Sequence, residues 1–185
     1  MFSLKSLFGQ KPETEIARSL YAETIQAARR PAFYTGMSVP DSPEGRFEML
    51  ALMAFLVLRR LKSEASAKDV AQAYFDVMFD DIDSNLRELG VGDISVGKKV
   101  KKLAESFYGR IRAYEDALAA PGEQALQDAL SRYPYRGTEP ATGSVECLAR
   151  HIRREDAALA ALAAETLLAG EIRFAAIDAD GKGVA

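Results

Sequence analysis

A chain of 185 residues with one histidine and one cysteine has few side chains suited to chemistry. His151 alone excludes every site that needs two histidines, the HExxH zinc motif and the paired ExxH di-iron motif among them. Cys147 alone excludes a disulfide framework or a CxxC centre. His151 has no evident carboxylate partner in a nucleophile–base–orienter set. Between Arg150 and Arg153–Arg154 it reads as an exposed helix residue, and Cys147 reads as a small, buried apolar one.

Two spacings imitate nucleotide or metal chemistry. Gly92 to Lys98 reads GDISVGK, a G-x4-G-K pattern. A phosphate loop needs a preceding strand and a Ser or Thr after the lysine; here Lys99 follows, and the pattern reads as a corner between two helices. Asp76 and Asp80 form D-x3-D within the cluster Asp76, Asp80, Asp81, Asp83, the arrangement by which all-helical prenyl-diphosphate enzymes hold magnesium. Such enzymes need a second acidic motif across a deep cavity, and the later helices offer none. At about 100° per residue Asp69, Asp76, Asp80, Asp83 and Arg87 share one narrow arc, as a solvated or partner-facing stripe does. Lys98, Lys99, Lys101 and Lys102 crowd the start of the next helix, where they oppose its dipole. Two compensations stay open: a salt lace with α-helical neighbours such as Asp83 to Lys102, or an acidic protein, ribosomal RNA or anionic lipid.

The elements that position these residues are helical nearly throughout. A first helix runs from about Glu13 to Arg30 and stops at Pro31. PAFYTGMSVPDSP is an irregular connection rich in aromatics. Ser42-Pro43 caps a second helix whose body, FEMLALMAFLVLRRL, is apolar nearly all round and therefore expected at the centre of the core. Ser66 with Asp69 is the expected cap of a third helix to Leu89, with Ala71, Phe75, Met78, Ile82, Leu86 and Leu89 on one face and Gly90 as its stop. Ser95 is the expected cap of a fourth, with the stripe Val96, Val100, Leu103, Phe107, Ile111, Tyr114, Leu118. A short helix covers Glu123 to Arg132. After the irregular YPYRGTEPATG, a last helix is expected from Ser144 to Leu168, its stripe flawed at Glu155 and Asp156. One of these acids is expected either half-buried against Arg59 or Arg60, or at the stripe's edge. Nothing alternates with period two for long enough to form a sheet. The expected fold is all-α, one compact domain of about six helices with two irregular loops over residues 13–177. Residues 1–12 form a flexible segment whose Phe2, Leu4, Leu7 and Phe8 beside Lys5 and Lys11 offer at most a weak surface anchor, and 178–185 a disordered tail.

Net charge −3 and a pI near 5.4 argue against general nucleic-acid binding, DNA included. The uncharged run Met49 to Leu58 is half of the ~20 residues a bilayer needs, and the start has no secretory signal pattern. A reducing, aqueous compartment is expected.

Two stretches carry a family resemblance: RRPAFYTGMSVPDSPEGRFEMLALMAFLVLRRL, Arg29 to Leu61, and AQAYFDVMFDDIDSNLRELGVGDISVGKKVKKLAESFYGRIRAY, Ala71 to Tyr114. They resemble the ubiquinol–cytochrome c chaperones, assembly factors of ubiquinol–cytochrome c reductase, respiratory complex III. The loop ending VPDSPEGRF and the corner LRELGVGDISVGKK are the most specific parts. The resemblance implies an all-α fold, no catalysis, no cofactor, and a partner that is cytochrome b or another complex III subunit. Mitochondrial members act with a smaller partner near the ribosomal tunnel exit and hold newly made cytochrome b. The short start of this chain is that expected of a bacterial relative in the cytoplasm or peripheral on the inner membrane; a eukaryotic chain would sit in the mitochondrial matrix.

The resemblance brings no residue-level site, so the client surface rests on the residues. Phe33, Tyr34 and Val39 of the aromatic loop are the expected groove. Arg46, Lys98, Lys101 and Lys102 are expected to steer charged client loops, and Asp76, Asp80 and Asp83 to face a partner. No metal and no small-molecule substrate is expected. Two other classes stand beside this one: a magnesium-dependent prenyl-diphosphate or quinone-handling enzyme built on Asp76 and Asp80, and a membrane or ribosome adaptor relying on the lysines. Stabilisation by magnesium plus diphosphate marks the first; binding that collapses with salt and ignores the client marks the second.

Overall fold

The apolar run of the second predicted helix dictates the architecture. In the computed structural model, which describes residues 11–177 apart from the side chain of Ile94, this run forms α3, Pro43–Lys62, with Met49, Ala51 to Leu58 and Leu61 all buried. Ser42 Oγ accepts from the Gly45 N–H at 3.1 Å and Pro43 opens the first turn, as the sequence predicts. Around α3 pack α1 (Pro12–Ala28), α4 (Lys68–Glu88), α5 (Asp93–Ala119) and α7 (Ser144–Ala160). The short α6 (Gln124–Arg132) bridges α5 and α7, and two five-residue turns, α2 (Pro31–Thr35) and α8 (Ala164–Leu168), complete the set. Six of these helices have nine or more residues, in agreement with the all-α expectation. The expected flexible start and disordered tail lie, over 1–10 and 178–185, outside the described residues.

The chain's polar side chains tie α1 to α4. Tyr74 Oη donates to Thr24 Oγ1 at 2.8 Å, and Tyr21 Oη donates to Asp81 Oδ2 at 2.9 Å. The residue order of these pairs makes α1 and α4 antiparallel. The two irregular connections clasp one another: Tyr135 Oη donates to the Met37 carbonyl at 2.6 Å, and Ser144 Oγ to Ser38 Oγ at 3.2 Å. Both loops therefore pack down, as their aromatic content implies.

Several local expectations need correction. The third predicted helix is not capped by Ser66: a 3-10 turn, Ala65–Ala67, leads into α4, and the Ser66 hydroxyl bonds Glu64 instead. Ser95 lies inside α5, whose N-cap is Gly92, because Asp93 already begins the helix. The aromatic connection contains α2, opened by Pro31. The last helix breaks at residues 161–163. Arg60 donates to the Leu162 carbonyl at 2.8 Å and holds that break against α3, a tertiary contact with no sequence punctuation. His151, expected exposed, is fully buried, because α7 faces α3 and α6 while the segment 171–177 lies over its side. Cys147, expected buried, is only half-buried.

Gly45 shows what the turn before α3 requires. A Cβ there would lie 2.0 Å from the Pro40 carbonyl oxygen, a backbone atom that no rotamer change can remove. Helix propensity alone favours Ala over Gly by about 1 kcal/mol. Here Gly45→Ala is expected to reverse that sign, cost about 1–3 kcal/mol, and lower the melting temperature by about 2–12 °C, at about 2–4 °C per kcal/mol for a chain of this size. A melting point equal to or above the wild type's contradicts the close approach.

Candidate functional site

Helices α4 and α5 form a hairpin with one face turned outward. The corner is built by a Schellman closure: the Gly90 N–H donates to the Arg87 carbonyl at 2.9 Å and the Val91 N–H to the Leu86 carbonyl at 3.1 Å, with Gly90 at φ 81°. Leu89, expected at the end of the apolar stripe, sits at the C-cap and is 79% exposed.

Up the hairpin, Phe75 of α4 stacks on Tyr108 of α5 with ring centroids 5.4 Å apart and planes at 26°. Phe75 also contacts Phe79 and Phe107, so the stack is rooted in the core. Tyr108 itself is 57% exposed. Asp76 and Asp80 are exposed on the α4 side of this aromatic pair, and Lys98, Lys99, Lys101 and Lys102 on the α5 side. The face is thus aromatic at its middle, acidic along one helix and basic along the other.

The other expected site residues are placed differently. Asp83 does not meet Lys102: it accepts from Arg87 Nε at 2.5 Å, and Arg87 also bonds Asp93. A partner one turn away on the same helix is closer than any lysine of α5. No ion pair of the four lysines exists among the described residues. Phe33 and Val39 are core residues, at 0% and 2% exposed, and cannot line a surface groove. Tyr34 is half-buried, its hydroxyl donating to the Ala28 carbonyl at 2.8 Å, with Arg46 5.9 Å above its ring. Arg46 is held by Asp41 at 2.6 Å. The aromatic loop therefore serves the core, and only Arg46 of that group stands at the surface. Asp156 meets Arg59 at 2.9 Å, one of the two acid placements expected.

Two buried polar pairs go beyond what the sequence indicated, although Glu155 is one of the two acids that flaw the last helix's stripe. Arg110 of α5 clasps Glu48 of α3 with two donors, Nε to Oε2 at 2.6 Å and Nη2 to Oε1. Its guanidinium lies over Tyr133, 5.1 Å from the ring centre, and Phe47, 5.6 Å. His151 and Glu155 of α7 are both fully buried, 3.6 Å apart. Glu155 Oε1 accepts from the Ala175 N–H at 2.9 Å, while neither His151 nitrogen nor Glu155 Oε2 has a hydrogen-bond partner among the described residues. Burial pushes the Glu155 carboxyl up to about 7 and the His151 imidazole down to about 4.

Two shallow depressions lie elsewhere on the surface of the described residues. One of about 490 Å³ runs between α5 and α6 over Gly109, Ala113, Ala117 and Ala129. The other, about 500 Å³, lies over Arg59, Arg60, Glu115 and Asp156. Neither contains Asp76 or Asp80. Among the described residues no helix is long and apolar enough to cross a membrane.

Fold and face together define an all-α domain that presents a mixed aromatic and charged surface on two outer helices. The profile of the family described as Ubiquinol-cytochrome C chaperone matches residues 35–174. The chain belongs to this family. It is similar to the crystal structure of a Cbp3 homolog from Brucella abortus, with 39% identity and a TM-score of 0.80 over 96% of this chain and 98% of that one. It is also 22% identical over 160 residues to ubiquinol-cytochrome c reductase complex assembly factor 1 of Mus musculus. That match covers 85% of this chain and 54% of the mouse protein, so the chain spans about half the length of this relative.

Proposed function

We propose that this chain is a non-catalytic assembly chaperone of ubiquinol–cytochrome c reductase, and that its client is newly made cytochrome b. The observation that supports the reading is the end-to-end likeness to the Brucella homolog, at an identity well above what fold alone requires. The physical sense agrees. A membrane client offers apolar helices joined by charged loops, and a chaperone for it needs aromatic contact area flanked by charges of both signs. The α4–α5 face supplies Phe75 and Tyr108 between Asp76 and Asp80 on one side and Lys101 and Lys102 on the other. Asp83 and Arg46 are already paired within the chain and contribute less.

The test is the complex III haem b content of membranes from the source organism with and without this gene, read from reduced-minus-oxidised spectra. The expected result is loss of the complex III b signal while other cytochromes hold; an unchanged signal overturns the reading. A second arm addresses the face. Tyr108→Asp with Asp76→Lys and Asp80→Lys is expected to weaken cytochrome b capture by at least about tenfold, as removal of a central aromatic anchor does, with the melting temperature unchanged. Full capture by this variant moves the client to another surface.

A further inference from the structure

We infer that residues 171–177 are a displaceable strap, and that the groove beneath them on α7 is a binding site for an extended apolar peptide, which the strap closes. The inference goes beyond the client reading and holds for a peptide of the right side-chain pattern from any unfolded chain.

The first observation is how the segment is held. At the end of α8 the Gly170 N–H donates to the Leu167 carbonyl at 3.0 Å and the Glu171 N–H to the Thr166 carbonyl at 3.1 Å, with Gly170 at φ 79°. From this turn the chain runs on without helix. No backbone–backbone hydrogen bond joins 172–176 to another described residue. Side chains of other elements hold it instead. Arg30, at the junction of α1 and α2, donates to the Phe174 carbonyl at 2.9 Å and to the Ala175 carbonyl. Glu155 of α7 accepts from the Ala175 N–H at 2.9 Å. Both terminal nitrogens of Arg30 thus go to the strap, and Arg30 has no ion pair among the described residues. All three bonds reach main-chain atoms. Any extended peptide offers the same carbonyls and N–H, so these contacts do not read the strap's own side chains.

The second observation is the alternation along the strap. Ile172 and Phe174 are 3% and 7% exposed, while Glu171, Arg173 and Ala175 face solvent. That is the period of two of an extended chain. Two apolar side chains, one residue apart, enter the core and their neighbours stay out. Main-chain bonds combined with seats for alternate side chains are the general mode by which proteins hold extended peptides. A segment with so few buried side chains and no backbone ladder also opens more readily than the helices around it.

The third observation is what lies under the strap. His151 and Glu155 are 0% exposed, and the His151 ring packs edge-on against Phe33 with centroids 5.4 Å apart. The strap brings one N–H to this pair. Both His151 nitrogens and Glu155 Oε2 stay without a partner among the described residues. Buried polar atoms are nearly always paired, so the strap is an incomplete complement to its own groove, which lowers the cost of exchanging it for another segment. Arg30, His151 and Glu155 belong to neither α4 nor α5, so the groove is separate from the face assigned to the client.

The test uses the full chain and a synthetic peptide with the sequence of residues 171–177. A control peptide carries serine in place of its first isoleucine and its phenylalanine. Hydrogen exchange of backbone amides is read by NMR. A short tethered segment has an effective concentration in the millimolar range, so millimolar peptide is expected to displace a large share of the straps. The Ala175 amide is then expected to exchange at least about tenfold faster, with the amides of α4 and α5 unchanged and no effect of the serine peptide. Ala175→Pro removes the N–H that Glu155 accepts and keeps an extended backbone. This variant is expected to bind the peptide about tenfold more tightly than the wild type, the weight of one hydrogen bond. Should it fail to fold, the wild-type exchange measurement still decides. An Ala175 amide that ignores the peptide shows a strap that is a fixed part of the core and overturns the proposal. Equal binding of both peptides overturns it too, as does binding that leaves the strap's exchange unchanged, which puts the peptide on another surface. An Ala175→Pro chain that dimerises without binding peptide assigns the groove to the strap of a second copy and overturns it as well. No cytochrome b is present, so a failure here leaves the haem measurement unaffected, and the converse also holds.

Discussion

Glu48→Ala is expected to destabilise the protein by about 3–5 kcal/mol, the usual consequence of leaving one member of a buried ion pair without its partner. Arg110 is 7% exposed and Glu48 8%. The guanidinium spends two donors on the carboxylate and a third on the Ser106 carbonyl at 2.9 Å. With Glu48 gone, a full positive charge remains between Phe47 and Tyr133, where water can restore little of its hydration. Arg110→Ala is expected to cost a similar amount by stranding Glu48. Replacing both, Glu48→Met with Arg110→Leu, is expected to return most of the loss, since a well-packed apolar pair often matches a buried ionic one. Urea denaturation followed by circular dichroism on the wild type, Glu48→Met, Arg110→Leu and the double variant gives the coupling energy directly, and the two alanine variants give the cost of stranding each partner. Single losses below about 1 kcal/mol would mean that the pair is hydrated in solution. The pair also bears on function. It joins α3 to α5 one half-turn from Tyr108, so it sets the rotation of the helix that displays Tyr108 and the lysines.

The His151–Glu155 pair is expected to give stability two opposed pH dependences that nearly cancel in the wild type. The groups that face it are Arg154 on α7, Arg30 at the junction of α1 and α2, and the Ala175 N–H of the C-terminal segment. Glu155 titrates near 7 when folded against an ordinary 4.5. Between these values the folded chain holds a proton that the unfolded chain has released, so stability falls as pH rises, by about 3 kcal/mol in all. His151 titrates near 4 when folded against an ordinary 6.5. Between those values the unfolded chain holds the extra proton, so stability falls as pH falls, by a similar amount. The wild type is therefore expected to be nearly flat from pH 4.5 to 6.5, with losses on either side. His151→Leu is expected to leave the glutamate slope alone, with stability declining steadily from pH 4.5 to 7. Glu155→Gln is expected to leave the histidine slope alone, rising from pH 4 to 6.5 with no decline above. Urea midpoints at half-unit pH steps read both; profiles as flat as the wild type's in both variants contradict the burial argument.

The sequence by itself determined the helical class, the central place of the apolar second helix, the Ser42-Pro43 start and the family. These rest on local causes: side-chain period, capping chemistry, and loop sequences such as VPDSPEGRF that generic helices lack. The lysine cluster and the Asp76–Asp80 pair were also legible, because residues three and four apart on a helix share a face whatever the helix packs against. What the tertiary structure alone decided is which faces stay open. Phe33 and Val39 read as a binding loop until α2 folds them into the core. Leu89 reads as core until the Schellman corner carries it past its last neighbour. His151 reads as exposed beside three arginines, and burial depends on which side of α7 meets α3, α6 and the returning C-terminal segment. The Glu48–Arg110 clasp spans 62 positions, and Arg60 breaks the last helix from 102 positions away. Periodicity fixes the angle of a side chain about its own helix axis. Only packing fixes what stands opposite, and therefore whether a charged or apolar group is spent inside the molecule or left for a partner.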